Sequence, residues 1–251
     1  MRGLGFLASA MLFLCLASLP ARAGEVGAGQ VDQGDMRPAL GLMGTVPLFW
    51  GEADGLSDLL TEDHRGHWAR PILEERHNLV PLDYLSPEAL LPLKHLLLAQ
   101  PRGLTAEENV ALDAWVRDGG RLLLFIDPYM TGESRFAIGD RRRPQDVALL
   151  SPILMHWGLD LRFDAESEEG LEMREIAGSG VPVNLPGHFT FTRDNTGCAA
   201  FSAGLLVRCP IGNGEVVALA DAAVLDLAGP WEGAGDSLRM LDALAFGEGA
   251  E

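Results

Sequence analysis

The sequence is poor in basic and aromatic residues, and each scarcity excludes a class of protein. Its 251 residues include 19 Lys and Arg against 36 Asp and Glu, a formal net charge of −17 at pH 7. Because phosphate binding needs Lys and Arg, nucleic acid is not expected as a partner. Aromatic residues make up 7% and are spread along the chain, so no aromatic binding cluster is predicted. At 47% apolar and 22% charged residues, the composition is otherwise that of a globular protein.

Several strong motifs of catalysis and cofactor binding are also missing. The sequence has no Gly-x-Ser-x-Gly elbow, no phosphate-binding Gly-x4-Gly-Lys-Ser/Thr loop, no His-Glu-x-x-His and no Cys-x-x-Cys pair. The glycine pairs at 27/29, 178/180 and 212/214 lack the third glycine of a dinucleotide fingerprint. We therefore expect no cofactor.

The first 23 residues have the pattern of a secretory signal peptide. Arg2 precedes the apolar run Leu4–Leu19, and Ala21-Arg22-Ala23 forms a small-x-small cleavage site. We predict cleavage after Ala23 and a periplasmic location, with an uncleaved signal anchor as the alternative. No later stretch holds the roughly 18 consecutive apolar residues of a transmembrane helix, so none is predicted after the signal.

Cysteine is scarce, and its distribution fits export to an oxidising compartment. Cys15 lies within the predicted signal, which leaves Cys198 and Cys209 in the mature chain. These two cysteines flank a predicted strand pair, so a disulfide between them is the favoured interpretation. Two buried free thiols are the alternative.

The remaining chain predicts one α/β domain. Residues 24–36 are rich in glycine and are predicted to be a flexible lead-in, followed by a single domain over residues 37–251. The clearest unit has apolar strands at Leu93–Ala99 and Leu122–Ile126, joined by a helix that opens with the capping box of Thr105 and Glu108. Such units indicate a mostly parallel sheet with right-handed crossovers. The turn at 211–214 predicts a β-hairpin near the C-terminus.

Three acidic residues follow predicted strands and are the candidate ligand-binding residues. They are Glu52, Asp127 and Asp221. In parallel sheets, ligands bind outside the carboxyl ends of the strands, and clustered carboxylates there can act in acid–base chemistry or hold a cation. The alternative is structural, because Asp is also a common turn and helix-capping residue.

One segment gathers possible metal ligands. Its members are Asp63, His64, His67, Glu74, Glu75 and His77. A zinc site needs three or four donors that converge, and the Arg-Gly between the two first histidines indicates a loop. A solvated polar loop is therefore the favoured interpretation, and no metal site is predicted.

The central part of the chain resembles a known family. The segments Leu96–Thr105 and Ala111–Leu124, followed by Asp127-Pro128, are similar to the class I glutamine-amidotransferase-like domain of ABC-transport and gliding-motility auxiliary proteins. Leu154-x-x-Trp157-Gly158-Leu159 and Gly212-x-Gly214-x-Val216-Val217-x-Leu219-x-Asp221 also resemble that family. The resemblance implies a flavodoxin-like three-layer sandwich over about residues 40–246.

The resemblance does not extend to amidotransferase chemistry. That chemistry needs a Cys in a Gly-x-Cys-x-Gly elbow and a His-x-Glu pair. Here Cys198 lacks the second glycine, and His188 has no carboxylate two positions later. We therefore expect no catalytic residue and favour a non-catalytic periplasmic binding or scaffold module, accessory to an envelope ABC-type transport system. The alternatives are a hydrolase that uses the strand-end carboxylates with a divalent cation, and an envelope protein with a purely structural role.

Overall fold

The chain alternates strands and helices in its first half and is richer in strands in its second half. The computed structural model describes residues 37–53, 55, 57, 66–192 and 197–247; the predicted signal peptide and lead-in lie outside them. The strands are β1 Ala39–Gly44, β2 Asn78–Pro81, β3 His95–Ala99, β4 Arg121–Phe125, β5 Leu159–Arg162, β6 Leu171–Ile176, β7 Ser179–Asn184, β8 His188–Phe191, β9 Ala199–Phe201, β10 Leu206–Ile211 and β11 Gly214–Leu219. The α-helices in these ranges are α1 Ala69–Glu74, α2 Pro87–Leu90, α3 Ala106–Arg117, α4 Ser151–His156 and α5 Ala234–Phe246.

One seven-stranded sheet organises the structure, with the strand order β2-β1-β3-β4-β11-β10-β9. The first five strands of this order are parallel, and β10 and β9 are antiparallel to their neighbours. The prediction of an α/β fold with a mostly parallel central sheet is confirmed. The hairpin of β10 and β11 occupies the position where the sequence predicts one near the C-terminus.

The central strands are continuous apolar runs because both faces of the sheet are covered. In β3 and β4 the consecutive residues Leu96–Ala99 and Leu122–Phe125 are all buried, as expected of a parallel sheet with helices on both faces. Helix α3 packs against α2, α4 and β11, whereas α5 packs against α1, β4 and β11. None of the described helices is long and apolar enough to cross a membrane.

Helix α3 begins and ends as the sequence predicts. The Thr105 hydroxyl accepts a hydrogen bond from the Glu108 amide, and the Glu108 carboxylate accepts one from the Thr105 amide. This reciprocal cap satisfies two amides that have no partner inside the helix. After Arg117 the chain leaves the helix through Gly119, whose φ of +109° suits a glycine.

Two small antiparallel sheets lie outside the main sheet. Strand β5 pairs with β8, and β6 pairs with β7. The β6–β7 hairpin turns at Ala177 and Gly178, with φ of 52° and 80°, which is typical of a two-residue hairpin loop. Strand β7 packs against α5 and against the short 3-10 turn Ala223–Leu225, so the hairpin lies close to the end of β11.

The two cysteines of the predicted mature chain are bonded to each other. The Sγ atoms of Cys198 and Cys209 are 1.98 Å apart. Cys209 lies in β10 and Cys198 directly precedes β9, so the bond links two neighbouring antiparallel strands. The predicted disulfide is confirmed, and the alternative of two free thiols is wrong.

Candidate functional site

Asp127 and Asp221 lie beside each other at the carboxyl edge of the main sheet. Strands β4 and β11 are parallel neighbours, with Phe125 opposite Leu219, and each aspartate lies two residues beyond this pair. Both side chains are enclosed: Asp127 is 1% exposed and Asp221 is 0% exposed. The structure therefore brings together two of the three acids that the sequence selects, and it places them out of reach of bulk solvent.

The Asp127 carboxylate binds backbone amides of two loops. Its Oδ1 accepts a hydrogen bond from the Tyr129 amide at 2.8 Å, and its Oδ2 accepts one from the Ala222 amide at 3.3 Å. The first bond closes the turn that follows β4, as expected of an aspartate before a proline. The second bond joins β4 to the chain that leaves β11.

The Asp221 carboxylate also binds backbone amides from two segments. Its Oδ1 accepts from the Ala223 amide at 2.6 Å, and its Oδ2 accepts from the Asn184 amide at 3.0 Å. The bond to Asn184 joins the end of β7 to the main sheet. Within the described part of the chain, no ion pair links Asp127 or Asp221 to a basic side chain.

Burial without a cation raises the pKa of both aspartates. Burial raises the pKa of Asp127 to about 7, against the opposing effect of its amide donors Tyr129 and Ala222. Burial and then the neighbouring charge of Asp127 raise the pKa of Asp221 well above its usual value. Two buried carboxylates side by side disfavour each other's ionisation. The pair therefore retains a proton at a pH at which exposed aspartates are fully charged.

Gln100 is a member of this site that the sequence analysis did not select. It directly follows β3, is 1% exposed and has a φ of 44°. Its Oε1 accepts from the Asp127 amide at 2.8 Å, and its Nε2 donates to the Asp127 carbonyl at 2.9 Å. The Thr45 hydroxyl donates to the Gln100 carbonyl, so the ends of β1, β3 and β4 are joined. A polar residue directly after a buried strand is the sequence signal that marks it.

Glu52 belongs to a different part of the surface. Its carboxylate accepts hydrogen bonds from the Ser134 hydroxyl and from the Arg135 amide, the latter at 3.0 Å. The Arg135 guanidinium also donates to the Glu52 carbonyl at 3.0 Å. Glu52 therefore ties two loops together and does not join the hydrogen bonds of Asp127 and Asp221.

An open cleft of about 710 Å³ is lined in part by Pro186 and Gly187, in the connection between β7 and β8. Acidic residues of the 164–172 segment contribute to one wall, and the 186–188 segment contributes to another. The cleft residues are Asp164, Ser167, Glu168, Glu169, Gly170, Leu171, Glu172, Arg174, Pro186, Gly187, His188, Ser202, Ala203 and Leu205. The 186–188 segment is continuous with Asn184, whose amide binds Asp221. Asp221 is therefore connected to the cleft through Asn184 and the segment that follows it, and neither Asp127 nor Asp221 lines the cleft.

The possible metal ligands of the 63–77 segment make separate contacts. Asp63 and His64 lie outside the described residues. His67 accepts a hydrogen bond from the Ala69 amide through Nδ1 at 3.1 Å, and burial lowers its pKa to about 4. The Nε2 of His77 lies 2.6 Å from Asp242 Oδ1. Within the described ranges, no group of three or more His, Cys, Asp or Glu could hold a metal ion.

Comparisons with known proteins find likeness in structure alone. No known family and no curated protein matches the sequence. The exo-β-1,4-mannosidase Op5Man5 from Opitutaceae bacterium strain TAV5 is 14% identical with a TM-score of 0.51, over 85% of this chain and 37% of the mannosidase. The N-terminal domain of mmIFT52 is 13% identical with a TM-score of 0.49, over 85% of this chain and 99% of that domain. The cytoplasmic protein STM1381 from Salmonella typhimurium LT2 is 11% identical with a TM-score of 0.48, over 83% of this chain and 99% of that protein.

The mannosidase comparison concerns the fold and nothing more. This chain spans about 37% of the length of that enzyme, at an identity of 14%. Fold alone does not imply function, because one fold carries many unrelated activities. The function of the chain has to be argued from its own site.

Proposed function

We propose that this protein is a non-catalytic binding or scaffold module. The proposal rests on the hydrogen bonds of the two carboxylates at the strand ends, which bind the protein's own backbone. All four oxygens of Asp127 and Asp221 accept hydrogen bonds from backbone amides of the chain itself. A general acid or base has to reach its substrate directly or through one water. Two side chains with at most 1% exposure are poorly placed for that role.

We further propose that the fold is the flavodoxin-like three-layer sandwich that the family resemblance implies. The parallel strands β2-β1-β3-β4-β11 follow the 2-1-3-4-5 order of that fold. This order supports the class I glutamine-amidotransferase-like assignment. The resemblance remains the reason for proposing an accessory role in an envelope ABC-type transport system.

The residue after β3 also supports a non-catalytic role. Gln100 has a left-handed φ of 44°, and a strained turn between a strand and a helix is where many hydrolases present their nucleophile. An amide side chain is not a nucleophile, and both polar atoms of Gln100 are hydrogen-bonded within the protein. Cys198, the cysteine nearest to an amidotransferase motif, is bonded to Cys209.

We propose a periplasmic location, which the disulfide supports because such bonds persist in oxidising compartments. The open cleft lined by the 164–172 and 186–188 segments supports a binding role over a purely structural one. Its walls carry Asp164, Glu168, Glu169 and Glu172 together with Arg174, so we expect a partner surface with positive charge.

An activity assay separates this proposal from the hydrolase alternative. Purified mature protein is incubated with glutamine and with p-nitrophenyl acetate, with and without Mg²⁺, Ca²⁺ or Zn²⁺. We expect no hydrolysis above the rate of the Asp221→Asn variant and no rise in the unfolding midpoint with any cation. A cation-dependent rate that Asp221→Asn abolishes and Asp146→Asn leaves intact would establish the enzyme instead. Asp146 is the matched control because its exposed side chain pairs with Arg143.

A further inference from the structure

Strand β6 has a free edge. Strand β7 is the inner strand of the β6–β7 hairpin, because it packs against α5 and its residues Val181 and Val183 are buried. Residues 171–175 of β6 are instead all exposed. Within the described ranges, β7 is the only strand that pairs with β6. A strand with an unpaired edge is a template to which another chain can add a strand.

The turn of the hairpin decides which backbone groups of β6 face this free edge. The two residues at 177–178 have the positive φ angles of a type I′ turn, so the residue pair that closes the turn is hydrogen-bonded. Hydrogen-bonded and non-hydrogen-bonded pairs alternate along an antiparallel ladder. Leu171, Met173 and Glu175 therefore fall in non-hydrogen-bonded pairs with β7, and their N–H and C=O groups point away from it. These three are the edge residues of β6.

Contacts made by β7 agree with this alternation. The residue opposite Met173 is Pro182, which has no N–H to donate to β6. The Gly180 carbonyl accepts a hydrogen bond from a hydroxyl of α5, and the Asn184 amide donates to Asp221, so both groups point away from β6. In the described part of the chain, no backbone hydrogen bond engages the outward groups of the edge residues.

The edge residues are complementary to the same residues of a second copy. When two β6 strands run antiparallel with Met173 opposite its own counterpart, Leu171 lies opposite Glu175 of the second copy. Each edge residue is then in a hydrogen-bonded pair, so every N–H and C=O group that points outward at the two edges has a partner. The two-fold axis passes between the two methionines, and a contact of this symmetry closes at a dimer.

The charges of β6 are complementary in the same arrangement. Glu172 lies opposite Arg174 of the second copy, and by symmetry Arg174 lies opposite Glu172, which stabilises a strand pair. In the single chain these two side chains pair at 2.6 Å and are about half exposed. An arrangement centred on Glu175 would place two carboxylates opposite each other. One centred on Leu171 would pair the later half of β6 with residues that precede the strand.

We propose that β6 is a dimerisation surface, to which a second copy of this chain adds its own β6 antiparallel and centred on Met173. The two hairpins then form one four-stranded sheet in the order β7-β6-β6-β7. Leu171 and Met173 are 42% and 51% exposed in the single chain. In the dimer the two methionines lie opposite each other and each leucine lies diagonal to one of them, so apolar surface leaves water. This association goes beyond the proposed function and needs no occupant in the cleft.

The first experiment measures association and its location in the unmodified mature protein. Sedimentation velocity from about 1 to 500 µM should show a monomer–dimer equilibrium, at a salt concentration of about 0.15 M because the net charge of −17 opposes association. Hydrogen exchange then compares the two ends of that range. The Met173 and Glu175 amides should become about tenfold more protected at the high concentration, whereas the Arg174 amide, which is bonded within the hairpin, should not change.

Three results of this experiment would overturn the proposal. One is a chain that stays monomeric at the highest concentration. Another is a dimer in which the Met173 amide stays unprotected, because the copies would then associate through a different surface. The third is protection of the edge amides only after polylysine is added, which would assign the edge to a basic partner chain.

Charge reversal tests the pairing of the two strands. Glu172→Arg and Arg174→Glu each place like charges opposite each other in a homodimer, so each variant alone should dimerise about tenfold more weakly than wild type. An equimolar mixture of the two variants restores opposite charges and should form a heterodimer as tightly as wild type dimerises. The matched control Glu75→Arg breaks an exposed pair with Arg239 and should leave dimerisation unchanged. The proposal is wrong if the mixture associates no better than the separate variants, or if Glu75→Arg weakens the dimer equally.

Discussion

Two buried carboxylate sites in this protein have opposite protonation behaviour. Glu108 at the start of α3 and Asp221 at the end of β11 are both 0% exposed. Burial acts to raise the pKa of Glu108, but hydrogen bonds from Arg102 and from two backbone amides outweigh it, and the pKa falls to about 2. For Asp221, burial and the neighbouring Asp127 raise the pKa well above its usual value.

Two neighbours distinguish the two sites: a guanidinium group lies beside Glu108, whereas a second carboxylate, that of Asp127, lies beside Asp221. Glu108 accepts two backbone amides, from Leu85 and Thr105, and Asp221 likewise accepts two. Only Glu108 has a cation: the Arg102 guanidinium donates to its two carboxylate oxygens at 2.7 and 2.8 Å. Amide donors alone therefore do not keep a buried carboxylate charged here, whereas amides with a bidentate arginine do.

The largest effect is expected from removing that guanidinium. Arg102→Met leaves Glu108 buried without its cation and should lower the free energy of unfolding at pH 7 by about 3 kcal/mol. The value lies at the low end for a buried pair because the Arg102 side chain is 38% exposed, so water replaces part of its contact. Denaturant unfolding measures the loss. The control Arg117→Met breaks an exposed pair with Asp113 and should cost less than about 1 kcal/mol; equal losses in the two variants would contradict the comparison.

The pH dependence of stability should have opposite signs at the two sites. A carboxylate whose folded pKa is raised binds more protons in the folded state, so its contribution is complete below about pH 4 and is lost as the pH rises through the folded pKa. For Asp127 that pKa is about 7. Glu108 behaves in the opposite way: its contribution is present above about pH 4.3 and is lost as the pH falls towards its folded pKa of about 2.

A comparison of wild type with Asp127→Asn isolates the loss of stability that we expect as the pH rises through the pKa of Asp127. Between pH 5 and pH 8.5 the wild type should lose about 2 kcal/mol more than the variant, because the neutral amide that replaces the carboxylate carries no charge to repel Asp221. The figure is about half of what the full pKa shift would give, since water entry relaxes the pair as it ionises. Unfolding in urea at a series of pH values measures the difference. Parallel pH curves for the two proteins would show that burial does not raise the pKa of Asp127.

The acidic pair could be predicted from the sequence in part, because local patterns mark strand ends. Asp127 and Asp221 directly follow apolar runs, and parallel strands bring such positions to one edge. The capping box of Thr105 and Glu108 is equally local. Glu52 lies eight residues beyond the end of β1, in a loop whose path depends on Ser134 and Arg135. Strand periodicity carries no information about such a path.

The elements and contacts that the sequence did not reveal are those with weak periodicity or long-range partners. Residues Leu171–Ile176 form β6 although all but the last are exposed, so no buried face marks the strand. Helix α5 begins at Ala234 after Gly233, a residue without a side-chain cap, so no capping motif marks its first turn. Arg102 binds Glu108 across the turn before α3, and no sequence motif predicts that contact. Gln100 carries the signal of a polar residue directly after a buried strand, but its two contacts with Asp127 depend on a left-handed backbone that no local motif marks.

The smallest predicted effect separates the helix cap from the ion pair at Glu108. In Thr105→Ala the hydroxyl that accepts the Glu108 amide at 3.2 Å is lost, while the Thr105 backbone amide that binds the carboxylate remains. The loss should be about 1 kcal/mol, similar to that of Ser86→Ala at the start of α2. Because a cap of this kind involves no titrating group, the loss should be equal at pH 7 and pH 3. The penalty of Arg102→Met should instead shrink on acidification, as Glu108 without its guanidinium takes up a proton. A pH-dependent loss in Thr105→Ala would mean that the cap and the arginine act as one unit at Glu108.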